Sequence, residues 1–271
     1  MKVVVIGNGS IGMRHANNLV RMKHSAAVID SDPAKTTSKA LIKKLKGYDA
    51  AIICVPTTQH LSVLEKCISE GLPTYIEKPL GHYTQMSQWQ KLSRRKDLPI
   101  IMVGYQLRFH PSVRHFIRMH GKQQVIGGQF RCDCDMSTWQ GKSSQGNFLE
   151  EMSHEIDLAL YLGAKELTDF KYNARQRYAK LSFSGGWGDW SFEVELCGSQ
   201  RSYSRLWALQ THFMRMKFAC YDPVLLGNEM YEDSMLHFIS AVKNKRRITK
   251  GCTLSQAIDV MKVIQKVGDL S

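Results

Sequence analysis

The chain has 271 residues, enough for one large domain or two small ones and for a sizeable core. Its 43% hydrophobic and 23% charged residues are those of a globular protein and exclude disordered and fibrous classes. Charge is the outlier: 37 Lys and Arg against 24 Asp and Glu leave +13, which suits an anionic ligand or a nucleic acid.

In chain order, Lys2 to Gly7 reads as a buried strand, followed by a glycine-rich turn and a helix over Ile11 to Met22. Ala26 to Asp30 is a second strand, residues 34–45 a helix, and Asp49 to Pro56 a third strand. A helix over His60 to Glu70 ends at Gly71. Thr74 to Glu77, Gln85 to Arg95 and Pro99 to Gly104 then continue as strand, helix and strand. This alternation predicts an α/β class and a Rossmann-type, doubly wound parallel sheet over residues 1–105.

The pattern then changes. Pro111 to Met119 is a helix, Val125 to Asp133 a strand, and Asn147 to Leu162 one apolar-periodic helix closed by Gly163. Short alternating strands fill Leu167 to Tyr221. Helices follow over Glu229 to Lys243 and Thr253 to Val267, the latter with a Thr253-x-x-Gln256 capping box. Residues 106–271 are therefore expected to form an α+β domain with a mostly antiparallel sheet and C-terminal helices, serving substrate and assembly. A sheet with one apolar face and no visible partner layer predicts a homodimer or homotetramer. Leu181 to Phe183, Ser191 to Leu196 and Met214 to Phe218 are its candidate segments.

The longest apolar runs, Val3 to Ile6 and Ala50 to Val55, fall far short of the ~18 residues of a membrane span. The N-terminus opens as a strand rather than a leader, so the expectation is a cytoplasmic protein without a membrane partner. Seven scattered cysteines fit a reducing compartment. The basic clusters at 43–46, 94–96 and 243–247 lie at predicted helix ends or turns and read as solvated faces, so no specific nucleic acid is expected. Cys132 and Cys134 share a strand face without a second ligand pair, so no metal is expected either.

Gly7-Asn8-Gly9-Ser10-Ile11-Gly12 is a GxGxxG that follows a strand, opens a helix and precedes Asp30 at the end of the second strand. That context points to a dinucleotide, with backbone N–H groups approaching the pyrophosphate at the helix start. A tight turn beside an acidic loop residue is the plain alternative. Asp30 can accept from both ribose hydroxyls and would repel a 2′-phosphate, favouring NAD over NADP. Arg14 and Lys35 could also reach a phosphate, which keeps NADP open. Val55, Pro56, Thr57 and His60 at the end of the third strand, and Glu77 and Lys78 at the end of the fourth, sit where strand ends line a cofactor crevice.

Together, Cys54 to His60, Glu77-Lys78-Pro79, Gly104 to Pro111, Phe148 to Asp157 and Asn228 to Phe238 resemble the glucose–fructose oxidoreductase/inositol dehydrogenase family, Gfo/Idh/MocA, across nearly the whole chain and in order. The resemblance implies catalytic roles for Lys78 and His154, which flank nicotinamide and substrate in that family, and a further cofactor contact at Gln106. An imidazole suits the base that removes a hydroxyl proton, and an ammonium suits the developing alkoxide. Glu151, in a Glu-Met-Ser-His setting, is the expected orienting carboxylate. Glu150 is its neighbour and could instead complete a cap with Asn147. Asp157, one turn past His154, is a candidate substrate contact or a support for its helix. Arg108 and His110 are candidate contacts to the nicotinamide side or an anionic substrate, an interdomain salt bridge being the other reading of both. Trp139, Trp187, Trp190 and Trp207 read as core and sheet surface.

The chain is shorter than the family pattern between Trp139 and Gly146 and in the sheet after Leu167, the regions that supply substrate loops. The function this implies is an NAD(P)-dependent oxidoreductase acting on a secondary hydroxyl or ketone of a sugar, cyclitol or nucleotide sugar. The basic charge suits an anionic, sugar-like substrate. The alternatives are a biliverdin-reductase-like reductase of a non-sugar acceptor and a non-catalytic, cofactor-sensing regulator.

Overall fold

The computed structural model describes residues 1–32, 34, 45–135, 148–185, 191–220 and 228–269, the side chains of 135, 151, 199–203 and 218–220 excepted. The helix expected over 34–45, Lys35, the 139–146 segment and Trp139, Trp187 and Trp190 lie outside the described residues. The chain forms two compact units. One comprises residues 1–105 and 231–258; the other comprises 106–230 and 259–271.

The first unit is built on β1 (Lys2–Ile6), β2 (Ser25–Ile29), β3 (Ala50–Ile53), β4 (Thr74–Glu77) and β5 (Ile101–Gly104). They pair in parallel in the order β5-β4-β3-β1-β2. Val3, Val4, Val5, Ile52 and Ile53 are fully buried, as expected of a sheet covered on both faces. Helices α1 (Ser10–Arg21), α2 (His60–Ser69) and α3 (Met86–Ser93) connect the strands. The sheet also holds a strand that periodicity does not reveal. Cys252–Thr253 (β12 in chain order) pairs antiparallel with β5, and at two residues it is too short to show alternation.

A single division at 105/106 therefore does not describe the compact units. Later residues join the first unit because α7 (Glu229–Lys243) brings Tyr231, Ser234 and Phe238 against α1 and β4. Tyr75 Oη lies 3.2 Å from Ser234 Oγ, the Tyr75 and Phe238 rings meet edge-on at 5.8 Å, and Arg14 lies 4.4 Å from the Tyr231 ring centroid. The start of α8 (Leu254–Asp269) carries the expected capping box. Gln256 N–H donates to Thr253 Oγ1 at 3.3 Å, and Thr253 N–H donates to Gln256 Oε1 at 3.1 Å.

The second unit carries a mixed, mostly antiparallel sheet of β6 (Gly127–Asp135), β7 (Leu167–Asn173), β8 (Tyr178–Ser184), β9 (Ser191–Cys197), β10 (Ser199–Gln210) and β11 (Arg215–Cys220). Its order is β11-β10-β6-β9-β8-β7, with β6 and β9 parallel. One face buries Phe130, Leu181, Phe183, Phe192, Val194 and Leu196, each contributing about 1.5–3 kcal/mol by leaving water. Helix α6 (His154–Leu162) packs against β6 and β9. The opposite face is a charge ladder rather than an apolar surface. Arg131 pairs with Asp133 at 3.0 Å and Glu195 at 3.2 Å, and Lys180 pairs with Glu193 at 3.3 Å.

The helix expected over 147–162 is two helices, α5 (Phe148–Glu151) and α6. Ser153 Oγ donates to the Glu150 carbonyl at 2.7 Å, a local bond that competes with the helical ladder, and Ser153 becomes the N-cap of α6. Two buried ion pairs then hold the first turn of α6, where carboxylates complement the helix dipole. Glu155 lies 2.8 Å from Arg205 of β10. Asp157 accepts two bonds from Arg108, at 2.8 and 2.6 Å, with both side chains 2% exposed or less. No described helix is long and apolar enough to cross a membrane.

Asp157→Asn keeps the shape but leaves the Arg108 guanidinium buried without its counter-ion. The expected loss, read from urea unfolding midpoints, is about 3–5 kcal/mol. Replacing the pair together, by Arg108→Met with Asp157→Leu, should cost much less, because no charge is left stranded. Equal losses in the two variants would place the effect in packing instead of charge.

Candidate active site

The turn after β1 is shaped by what cannot fit there. At Gly7, where φ is +98°, a Cβ would fall 2.6 Å from the carbonyl oxygen of Cys54, and at Gly12 it would fall 1.9 Å from the oxygen of Gly7. These two glycines let α1, β1 and the end of β3 close on one another. Gly9 differs: a Cβ there meets nothing within 4 Å. Gly9 is also the N-cap of α1, with no side-chain cap and no acidic residue in the first turn. The open space thus faces the uncapped positive end of a twelve-residue helix, a setting that fits a pyrophosphate. Asp30 secures the turn, its carboxylate accepting from Asn8 N–H at 2.6 Å and from Asp32 N–H at 2.9 Å.

The ends of β3 and β4 frame this turn. Val55 and Pro56 follow β3 directly, and Thr57 is 7% exposed. His60, expected among the cofactor contacts, is 1% exposed. It directs Nε2 at the Val55 carbonyl, 2.9 Å away, and Nδ1 at that of Leu80, 3.2 Å away, so it braces the two loops from behind. Burial lowers its pKa, although the same two carbonyls pull the other way. Burial, reinforced by Glu77, holds the Cys54 thiol far above its ordinary pKa and hence protonated.

Glu77 is also turned inward. Its Oε1 lies 2.8 Å from His15 Nε2, and its Oε2 accepts from the backbone N–H of Lys78 at 3.2 Å. The Lys78 side chain is half-buried, and the Lys78–Pro79 peptide is cis.

The remaining candidates belong to the second unit. Gln106 and Arg108 lie on a short 3-10 turn after β5, 2% and 3% exposed. Arg108 and Asp157, expected as candidate substrate contacts, are buried and paired with each other within this unit. The Arg108 guanidinium also stacks on Tyr161, 4.5 Å from the ring centroid. His110 caps helix α4 (Pro111–His120), its Nδ1 accepting from Ser112 N–H at 3.2 Å. Burial and then the nearby Arg205 push its pKa down to about 4, so it is neutral at pH 7. His154 is the first residue of α6 and is half-buried, whereas Glu150 is 1% exposed. Glu151 ends α5, and its side chain lies outside the described residues, as does Asn147.

The structure thus gathers the glycine turn, Asp30, Val55 to Thr57, Glu77 and Lys78 within the first unit, and Gln106, Glu150, His154 and Asp157 within the second. Sequence reasoning missed His15. Its signal is the inward stripe Gly12, His15, Asn18 and Leu19, in which a histidine recurs at helical spacing among buried residues.

Residues 1–105 match the model of an oxidoreductase family with an NAD-binding Rossmann fold. The chain is 26% identical over 196 residues to the scyllo-inositol 2-dehydrogenase (NAD(+)) of Bacillus subtilis, covering 65% of this chain and 57% of that protein. It is 31% identical over 186 residues to the myo-inositol dehydrogenase Hyg17 of Streptomyces leeuwenhoekii, covering 62% and 57%. The match therefore spans little more than half the length of these curated relatives. The UDP-N-acetylglucosamine 3-dehydrogenase structure from Acidithiobacillus ferrooxidans superimposes with a TM-score of 0.77 at 16% identity, over 98% of this chain and 96% of that one, a likeness of fold. The first 105 residues are thus similar to the Gfo/Idh/MocA oxidoreductases, whose family model describes an NAD-binding Rossmann fold.

Proposed function

We propose that the protein is an NAD-dependent oxidoreductase that interconverts a secondary hydroxyl and a ketone on a cyclitol, sugar or nucleotide sugar. The observation that carries the reading is the open, uncapped start of α1 behind Gly9, with Asp30 anchored beside it. The two inositol dehydrogenases among its relatives support the substrate class.

In this reading Gly7 to Gly12 hold the pyrophosphate, Asp30 the ribose, and Val55, Pro56, Thr57, Glu77 and Gln106 line the rest of the cofactor path. A bound nicotinamide supplies the hydride acceptor or donor. His154 takes the substrate hydroxyl proton, while the Lys78 ammonium stabilises the oxygen as its negative charge grows. Glu151 orients the imidazole. Asp30 carries the preference for NAD, because its carboxylate repels a 2′-phosphate at the same position.

Assembly belongs to the same proposal. The open sheet face of the second unit carries a cavity of about 490 Å³, whose lining includes Arg131, Glu193, Glu195, Leu206, Ala208 and Lys217. A face bearing both charge signs can be self-complementary across a two-fold axis. Light scattering at micromolar concentration should report a dimer or tetramer, and Leu206→Glu should dissociate it. A wild-type monomer would refute the arrangement.

NADH should raise the melting temperature by binding the native state. Gly9→Val, which fills the space in front of α1, should abolish that shift, and Asp30→Ala should move the preference towards NADPH. A wild type that responds to neither nucleotide would end the dinucleotide reading. Unchanged selectivity in Asp30→Ala would remove Asp30 as its determinant.

The catalytic roles are tested by following reduced-nicotinamide absorbance with NAD and NADP against myo-inositol, scyllo-inositol, UDP-N-acetylglucosamine and simple sugars. On the substrate found, His154→Asn and Lys78→Met should lower turnover about 10²–10⁴-fold while NADH binding persists. Glu151→Gln should be milder. Near-wild-type turnover in His154→Asn would sink the assignment and favour a cofactor-sensing role.

A further inference from the structure

We propose that His15 is a positioning residue for Lys78, acting through the Glu77 carboxylate; this rests on the role given to Lys78 above. His15 lies one turn into α1, three residues past Gly12, and is 0% exposed. Its Nε2 stands 2.8 Å from Glu77 Oε1, and its Nδ1 has no hydrogen-bond partner among the described residues. A proton on Nε2 lets the ring donate to the carboxylate.

The ring is held edge-on by Tyr75 at 5.3 Å and by Tyr231 at 6.2 Å. The carboxylate is confined as well. Its second oxygen accepts the Lys78 backbone N–H at 3.2 Å, and the Gly104 Cα on β5 approaches so closely that a Cβ would fall 2.9 Å from Oε1. One buried carboxylate therefore ties the helix that opens the nucleotide site to the first peptide of the loop carrying Lys78. Loss of the His15 bond frees Glu77 to turn, and with it the backbone from which the Lys78 ammonium projects. A displacement of an ångström at a reacting centre is enough to cost about 100-fold in rate. A core histidine with no such role would affect stability alone.

His15→Gln keeps a donor that reaches Glu77, and His15→Asn is polar but too short. With the substrate found by the screen, His15→Asn should lose about 10- to 100-fold in turnover while its NADH affinity stays within about threefold. His15→Gln should recover to within about threefold of wild type. Wild-type turnover in His15→Asn, equal losses in the two variants, or NADH affinity falling in step with turnover would overturn the proposal.

A second readout needs no substrate: acetylation of Lys78 by acetic anhydride, followed by peptide mass spectrometry with and without NADH. NADH should protect Lys78 in wild type and His15→Gln but not in His15→Asn. Glu77→Gln, whose amide nitrogen cannot accept, should also lose protection and serves if His15→Asn does not fold. Equal protection in all variants, or none in wild type, overturns the inference. If no substrate is turned over while NADH still protects Lys78 in this pattern, the dehydrogenase reading fails and the positioning role stands.

Discussion

The first unit depends on a close approach that permits no side chain. The oxygen of Gly7 occupies the place a Cβ of residue 12 would need, and the oxygen of Cys54 crowds the place a Cβ of residue 7 would need. Helix α1 can therefore start directly over the gap between β1 and β3, the two strands between which the sheet order reverses. Crevices at such reversals are where open α/β sheets bind ligands. The helix arrives there with its N–H groups uncapped, and the flanking loops are braced by Asp30, His60 and Glu77 from within the protein. The site is thus set by backbone packing before any ligand contact is made.

The second unit rests on a different device. Its helix α6 carries two carboxylates in the first turn, one drawn to Arg205 on the sheet and one to Arg108 on the turn after β5. Buried ion pairs add little net stability against an apolar alternative, but losing one partner is severe. Their effect is geometric. They fix the rotation and depth of the turn that begins with His154, which leaves that imidazole half-buried while its neighbours are sealed. Arg108, Asp157, Glu155 and Arg205 thereby frame a residue that is better exposed.

Several of the expected site residues have partners within the protein itself. His60, Arg108, His110 and Asp157 all stand near the motifs, and polarity beside a motif suggests ligand contact. In the fold their polar atoms meet backbone carbonyls, a helix N–H or each other. A buried polar group needs a partner whether or not a ligand exists, so polarity near a motif does not separate brace from contact. His15 is the converse case, an inward-facing histidine hidden within an ordinary helical pattern.

Read alone, the sequence was sufficient for the features that depend on neighbours a few residues apart. The alternation of buried strands and amphipathic helices up to residue 105, the glycine fingerprint followed by an acidic residue, the short alternating strands after Leu167 and the Thr253–Gln256 cap all report local periodicity or local chemistry. What joins distant residues was decided only in three dimensions. Nothing local reports that Arg108 meets Asp157 49 residues later, that His15 meets Glu77 62 residues later, or that two residues near position 252 complete the first sheet. The break at Ser153 stands between these cases. The serine is visible, but whether its hydroxyl bends the helix depends on the two arginines that draw the next turn inward. Periodicity encodes which face of an element seeks burial; the partner awaiting it there is a property of the assembled fold.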